Sequence, residues 1–103
     1  MGLLSIFGIK SKSTLLKEAL TDGAIVVDVR TPQEYNEGHI SGSLNIPVNQ
    51  IEARASMLKK KEKTIILCCK SGGRAGQAKS ILEKNGISCI NGGSWGSLNY
   101  LMH

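Results

Sequence analysis

The sequence of 103 residues is long enough for one hydrophobic core and too short for two, so we predict a single domain over residues 1–103. Its formal net charge of +5 favours anionic ligands, whereas an aromatic content of 4% leaves few platforms for stacking bases, so nucleic acid is not an expected partner. Three cysteines, two of them adjacent and none in a C-x-x-C pair, fit neither a disulfide framework nor a zinc knuckle, and they indicate free thiols in a reducing compartment such as the cytoplasm.

The N-terminal segment is apolar but has the features of neither a secretory signal nor a membrane span. No basic region precedes residues 1–9, Gly8 interrupts them, and no cleavage pattern of small residues follows. The longest uninterrupted apolar runs, 24–27 and 65–69, are far shorter than the roughly 20 residues that cross a bilayer. We therefore predict no membrane span and a frayed N-terminal segment over residues 1–12.

The first half of the chain predicts two helices and two strands. Apolar residues at helical spacing predict a first helix that ends at the turn 22–23. The run 24–27 is β-branched and does not alternate with polar residues, which indicates a strand covered on both faces. Residues 31–34 combine an N-cap threonine, a proline and a glutamate in a capping box, and Gly38 ends the short helix that follows. Residues 43–46 predict a brief second strand.

The second half continues the alternation of helices and strands. Asn49 predicts the start of a helix that closes with the basic run 59–63, which we interpret as a solvated helix end rather than a docking site. Residues 64–68 predict a second fully buried strand, and a helix ending at 85–86 precedes another strand over 87–90. A short closing helix follows. Such alternation predicts an α/β fold, a mostly parallel sheet flanked by helices.

The turn after the second buried strand carries the most informative chemistry. Cys69 stands at the carboxyl end of that strand, where α/β sheets bind ligands. Ser71, Gly72 and Gly73 are small enough to let the backbone curl and point its N–H groups inward, and Arg74 begins the next helix. These donors and the positive helix end favour the thiolate of cysteine. The segment therefore predicts an anion cradle with a nucleophile at its base, suited to an oxyanion that carries an electrophilic sulfur.

Residues 69–74 resemble the active-site loop of the rhodanese family of sulfurtransferases, which consists of a cysteine, four loop residues and an arginine. Other motifs resemble the family's signature in order and spacing: Asp28-Val29-Arg30, Glu34-Tyr35, Gly38-His39-Ile40, Gly42, Asn45-Ile46-Pro47 and Gly92-Gly93. The resemblance covers nearly the whole chain from about the first helix onward. It implies a rhodanese-like three-layer domain.

The resemblance also implies a reaction. Cys69 would take a sulfane sulfur from thiosulfate or a related donor, become a persulfide, and pass the sulfur to cyanide or a thiol, including the thiol of an acceptor protein. Lys70 and Arg74 would hold the anionic donor, and the amides of residues 71–73 would share the charge of the persulfide. No cofactor is implied. No spacing of His, Asp and Cys in the chain suggests a metal site.

Other polar and thiol residues have structural interpretations. Cys68 and Cys89 are expected to be small buried hydrophobes, which is the usual environment of a cysteine at a strand end. Cys68 is disfavoured as a thiol that pairs with Cys69, because adjacent side chains leave a strand in opposite directions and adjacent residues form only strained disulfides. We expect Asp28 and Arg30 to form an ion pair or hydrogen bonds, and His39 to brace a turn.

Two alternatives remain beside sulfur transfer. Counting from Cys68 leaves five residues before Arg74, the loop length of related phosphatases and arsenate reductases, although Leu67 stands where those phosphatases usually have a histidine. No aspartate is obviously placed as the general acid that ester cleavage needs. The other alternative is a binding or sulfur-carrier module that serves a protein partner.

Trp95, which comes earlier after the glycine pair than in the family pattern, is either a lid over the pocket or core filler.

Overall fold

The computed structural model describes residues 10–103. Of the N-terminal segment predicted to be frayed, residues 1–9 lie outside the described residues, and Ser11 is the N-cap of the first helix, which begins at Lys12. The helices and strands follow in the order α1 (Lys12–Thr21), β1 (Ile25–Asp28), α2 (Pro32–Asn36), β2 (Leu44–Asn45), a 3-10 turn (Val48–Gln50), α3 (Ile51–Lys60), β3 (Ile65–Cys69), α4 (Gly73–Lys84), β4 (Cys89–Ser94) and α5 (Trp95–Met102).

Within residues 10–103 the strands form one parallel sheet in the order β2-β1-β3-β4. Helices cover both of its faces, which confirms the predicted α/β fold. Because all the strands run in the same direction, their carboxyl ends meet at a single edge of the sheet. The predicted loop at residues 69–74 leaves that edge from the inner strand β3.

The strand β3 is buried along its whole length, and its residues alternate between two hydrophobic cores. Ile65, Leu67 and Cys69 pack in the core formed with α3 and α4, whereas Ile66 and Cys68 pack in the core formed with α1 and α5. An unbroken run of apolar residues is therefore what this position in the sheet requires. The two adjacent cysteines consequently face opposite layers of the domain.

The strands predicted over 24–27, 43–46 and 64–68 are each within one residue of the observed bounds, and two other elements differ by more. Asn49 does not cap a helix: it lies within the 3-10 turn, and α3 begins at Ile51 without a side-chain cap. The strand predicted over 87–90 begins and ends later, as β4, because the Ile87 N–H donates to the carbonyl of Leu82 (3.0 Å) at the end of α4. No helix in the described part of the chain is long and apolar enough to cross a membrane.

The strand β4 contains an irregularity beside the carboxyl end of β3. Leu67 pairs with Asn91 and Cys69 with Ser94, so three steps along β4 match two steps along β3. The extra residue is accommodated where Gly93 has a φ of +80°, a conformation that favours glycine. This bulge is adjacent to the loop that follows Cys69.

Candidate active site

Cys69 ends β3 and lies beneath the loop that joins β3 to α4. Only 1% of the residue is exposed, and its Sγ accepts a hydrogen bond from the backbone N–H of Gly72 at 2.9 Å. Gly72 is the N-cap of α4 and has a φ of +107°, a backbone conformation that residues with side chains rarely adopt. The glycine thus allows the chain to turn back over the sulfur, as the sequence predicts.

The surroundings of Cys69 favour its thiolate form. Burial of the thiol raises its pKa, but backbone N–H groups of the loop and of the first turn of α4 lower it by more, so the net pKa lies below the ordinary value of 9.0. These N–H groups belong to Ala75, Gly72, Ser71 and Arg74. The first N–H groups of a helix have no partner within the helix, which leaves them free to bind an anion. Cys69 is therefore better suited to act as a nucleophile than a thiol with the ordinary pKa.

The neighbouring thiol of Cys68 has the opposite electrostatic environment. Burial, and next the negative charge of Asp28, raise the pKa of Cys68 to about 12. The residue is fully buried in the core on the other face of the sheet. Cys89 is also buried, so the prediction that both are small buried hydrophobes is confirmed. The loop consequently runs from Cys69 to Arg74 with four residues between, and the count of five residues from Cys68 does not describe its geometry.

Arg74 makes an ion pair that the sequence did not predict. Its guanidinium binds both carboxylate oxygens of Glu34, with Nη1–Oε1 at 2.7 Å and Nη2–Oε2 at 3.0 Å, and both side chains are about one-third exposed (32% and 31%). The hydrogen bond from Arg74, together with the backbone N–H of Thr31, lowers the pKa of Glu34 to about 2. Glu34 also completes the predicted capping box of α2 with Thr31. The Arg74 guanidinium is therefore anchored to α2 rather than free in the loop.

The other predicted loop residues form the rim of the site. Lys70, Ser71 and Gly73 are exposed, and Gly72 is partly buried. Lys70 lines a cleft of about 280 Å³ beside the loop, whose other lining residues are Arg30, Glu34, Glu37, Gly38 and Trp95. Residues 69–74 therefore lie together around the thiol, with a cationic side chain at the mouth of an adjacent cleft.

A buried ion pair supports the floor of this cleft. Asp28 is inaccessible to solvent, and its carboxylate accepts hydrogen bonds from Nε (2.9 Å) and Nη2 (2.7 Å) of Arg30. Arg30 also donates to the carbonyl of Gly38 (2.7 Å), and its guanidinium lies 4.9 Å from the centre of the Trp95 ring. The predicted structural pairing of these two residues is confirmed.

The roles of His39 and Trp95 follow from their contacts. Nδ1 of His39 donates to the backbone carbonyl of Tyr35 at 2.8 Å, and the two rings stack, so His39 braces the turn as predicted. Trp95 packs against the Arg30 guanidinium and borders Gly38, where an added Cβ would lie 3.2 Å from the indole ring. It is partly buried and forms one wall of the cleft, so it combines packing with a position beside the site.

Asn91 is part of the site although the sequence did not single it out. Its Nδ2 donates to the carbonyl of Gly72 at 3.1 Å, and its Oδ1 accepts from the N–H of Gly93 at 2.9 Å. The only sequence signal is an asparagine directly before the glycine pair 92–93. Among residues 10–103, no cluster of three or more His, Cys, Asp or Glu side chains is arranged to hold a metal ion.

The fold and site together define a class of protein: a parallel α/β domain with a cysteine thiol in a loop of inward-pointing amides at the carboxyl edge of its sheet. A family model described as the rhodanese-like domain matches residues 12–96, and the chain belongs to this family. The resemblance noted from the sequence is therefore confirmed.

Named relatives and solved structures agree with this assignment. The thiosulfate sulfurtransferase PspE of Escherichia coli is 38% identical over 65 residues, which are 62% of each chain. A protein of Allochromatium vinosum named sulfurtransferase is 33% identical over 82 residues, 80% of this chain and 76% of its own. A structure titled rhodanese with anions from E. coli superposes with a TM-score of 0.66 at 33% identity, over 72% of this chain and 89% of that one. The chain spans less than two thirds of the length of the first curated relatives it matches.

Proposed function

We propose that the protein is a sulfurtransferase that moves a sulfane sulfur from thiosulfate or a related persulfide donor, through a persulfide on Cys69, to cyanide or a thiol. The observation that carries this proposal is the contact of Cys69 Sγ with the Gly72 N–H (2.9 Å) at the start of α4. A recessed sulfur surrounded by amide donors can hold negative charge before and after it gains a second sulfur atom. The sulfurtransferase names of its relatives give independent support.

In the first step, the Cys69 thiolate attacks the outer, sulfane sulfur of thiosulfate. A new sulfur–sulfur bond forms to Cys69 while the bond between the two sulfur atoms of thiosulfate breaks, and its electron pair leaves with sulfite. The three negative charges of the reactants are conserved in the products, a persulfide anion and the sulfite dianion. No proton transfer is required, so this step needs no general acid or base.

In the second step, an acceptor attacks the outer sulfur of the persulfide. Cyanide forms a carbon–sulfur bond and leaves as thiocyanate, or a thiolate forms a new persulfide, and in both cases Cys69 returns as the thiolate. The electrons of the broken bond remain on the Cys69 sulfur, so the cycle closes without an external oxidant or reductant. The chain's own residues are enough for this chemistry, and we propose no cofactor and no metal.

Within this mechanism the loop residues stabilise negative charge in different ways. Lys70 is the exposed cation at the rim of the cleft and attracts the anionic donor. The backbone N–H groups of Ser71, Gly72, Arg74 and Ala75 surround the reacting sulfur atoms, and Gly73 lies exposed between them. Arg74 contributes its backbone N–H to Cys69 and, being paired with Glu34, adds less positive charge to the site than the sequence suggested. We propose that the donor enters through the cleft between Lys70 and Trp95.

Two observations favour sulfur transfer over the phosphatase alternative. A loop of four residues after the nucleophile leaves room for a sulfur atom on the cysteine, and the cysteine that would start the longer loop is buried with a pKa of about 12. A carrier function differs from turnover only in its acceptor, which would be a protein thiol. A reducing compartment such as the cytoplasm suits a free thiol with a lowered pKa.

Intact-protein mass spectrometry after incubation with thiosulfate tests the proposal, with sulfite release followed in parallel. The wild type and Cys68→Ser are expected to gain one sulfur atom that a reductant removes, and Cys69→Ser is expected to gain none. Sulfur uptake that survives Cys69→Ser would refute the mechanism. Hydrolysis of an aryl phosphate that depends on Cys68 would establish the phosphatase alternative, and sulfur uptake that only a protein acceptor discharges would establish the carrier.

A further inference from the structure

Asn91 connects the end of β4 to the loop over Cys69. Its side-chain amide uses both of its polar atoms: Nδ2 donates to the Gly72 carbonyl (3.1 Å), and Oδ1 accepts from the Gly93 N–H (2.9 Å). The second bond fixes the orientation of the amide within the bulge of β4, and the first transmits that orientation to the loop. The contact reaches across 19 residues of sequence, from the sheet to the first residue before α4.

Gly72 is the residue of the loop that most needs an external support. Its φ of +107° is available to glycine, but glycine has no side chain with which to hold it, and α4 has no side-chain cap at this residue. The Gly72 carbonyl accepts from Gly76 N (2.9 Å) as well as from Asn91. Because this carbonyl belongs to the planar peptide between residues 72 and 73, holding it restrains the path of the chain into the first turn of α4, where the N–H groups of Arg74 and Ala75 stabilise the Cys69 thiolate.

Glycines of the loop and of α4 border the Asn91 contact. A Cβ added to Gly72 would lie 3.5 Å from the Gly93 Cα, and one added to Gly76 would lie 3.5 Å from Nδ2 of Asn91, both within van der Waals contact. The bulge of β4 therefore packs directly against the start of α4. Asn91 occupies the space between them and is partly buried, so water competes weakly for its hydrogen bonds.

We propose that Asn91 is a positioning residue for the reaction at Cys69: it holds Gly72 in the conformation that directs the loop N–H groups at the Cys69 sulfur. Its link to turnover rests on the proposed sulfurtransferase function. Its effect on the thiol does not, because the same N–H groups stabilise the thiolate in the absence of any donor. Loss of Asn91 therefore raises the pH at which Cys69 becomes reactive and slows sulfur uptake, even where the domain remains folded.

Alkylation by iodoacetamide as a function of pH tests this role, with Asn91→Ala as the variant and Asn99→Ala as the control. Asn99 is also partly buried, but it lies on α5, and its side chain makes no hydrogen bond among the described residues. Cys68→Ser is the background for all variants, so that only one of the two adjacent thiols is followed. Circular dichroism and thermal unfolding establish a temperature at which every variant is folded, and the rates are measured there.

The expected result is a rise of about one unit in the midpoint of the pH profile for Asn91→Ala, which lowers the alkylation rate at neutral pH by about tenfold. The rate of sulfur uptake from thiosulfate falls in parallel, and Asn99→Ala changes neither. Asn91→Ser, whose side chain is too short to reach the Gly72 carbonyl, reproduces the effect if the alanine variant does not fold.

An unchanged pH profile in a folded Asn91 variant would overturn the proposal, whatever happens to the melting temperature, because a residue that merely stabilises the fold does not move the titration of Cys69. A wild type that takes up no sulfur from thiosulfate would count against the proposed function instead. The alkylation profile would still decide whether Asn91 positions the loop.

Discussion

The adjacent thiols of Cys68 and Cys69 are expected to differ in reactivity by orders of magnitude when the folded protein is treated with iodoacetamide at pH 8. Burial and the charge of Asp28 raise the pKa of Cys68 to about 12, so that only about one molecule in 10⁴ carries this thiolate at pH 8. The pKa of Cys69 lies below 9.0, which leaves about one-tenth or more of it ionised. The thiolate populations therefore differ by at least about a thousandfold.

Tandem mass spectrometry of the alkylated peptide assigns the adduct to one of the two adjacent residues. A single adduct on Cys69 is expected in the folded protein, with Cys89 unmodified over the same period because desolvation raises the pKa of its thiol, whereas the pKa of Cys69 is lowered. Protein unfolded in guanidinium chloride is the control, and all three cysteines should react there at similar rates. Modification of Cys68 as fast as Cys69 in the folded protein would refute the burial and electrostatic reasoning.

Further predictions concern packing and charge. In Gly92→Ala the new Cβ would lie 2.9 Å from Ile66 Cγ2 and 3.0 Å from the backbone oxygen of Leu67. Denaturant unfolding should therefore show a free energy of unfolding lowered by roughly 1–3 kcal/mol. Gly96→Ala is the control, because its new Cβ would have nothing within 4 Å, and it should change the free energy of unfolding by less than about 1 kcal/mol. Asp28→Asn removes the negative charge that pairs with the buried Arg30 guanidinium. The free energy of unfolding in the same measurement should fall by roughly 3–5 kcal/mol. Glu34, with its pKa lowered from 4.5 to about 2, contributes stability that is present above pH 4.5 and is lost as the pH falls toward 2. Glu34→Gln should flatten this part of the stability profile, and an equally steep profile in the variant would contradict the ion pair.

Most of the fold follows from local sequence patterns. The buried strands β1 and β3 are predicted because unbroken runs of β-branched and apolar residues fit a strand with helices on both faces. The start of α2 is predicted because Thr31, Pro32 and Glu34 are each required at their own positions in a capping box. Both signals act over a few neighbouring residues, which is why a single sequence is enough to find them.

The elements that were misplaced depend on contacts between distant residues. Two glycines in β4 lower its propensity to form a strand, yet they are needed there because the strand bulges and passes close to Leu67 and Leu98. Asn49 has the chemistry of an N-cap, but the 3-10 turn takes it up instead and α3 starts without one. Conformational propensity is a property of the single residue, whereas its contacts in the folded domain determine which conformation it adopts.

The candidate site likewise contains residues that the sequence predicts and contacts that it does not. Cys69 and the glycines after it are predicted because a nucleophile at a strand end, a loop of small residues and a helix start are consecutive in sequence. The contact of Asn91 with Gly72 and the ion pair of Arg74 with Glu34 are not predicted, because their partners are 19 and 40 positions apart in the sequence, respectively. Such pairs become predictable only when the order of the strands at the carboxyl edge is known.

In this site the Glu34 side chain changes the role that the Arg74 side chain can have. From the sequence, Glu34 has a local task in the capping box of α2, and Arg74 is a free cation beside the nucleophile. In the structure Oε1 of Glu34 accepts from Thr31 N at 3.0 Å and from Arg74 Nη1 at 2.7 Å, so a single carboxylate does both. Because the guanidinium is paired and held, the arginine fixes the first turn of α4 against α2. In the proposed mechanism the anionic donor is therefore attracted mainly by the loop amides and by the exposed Lys70.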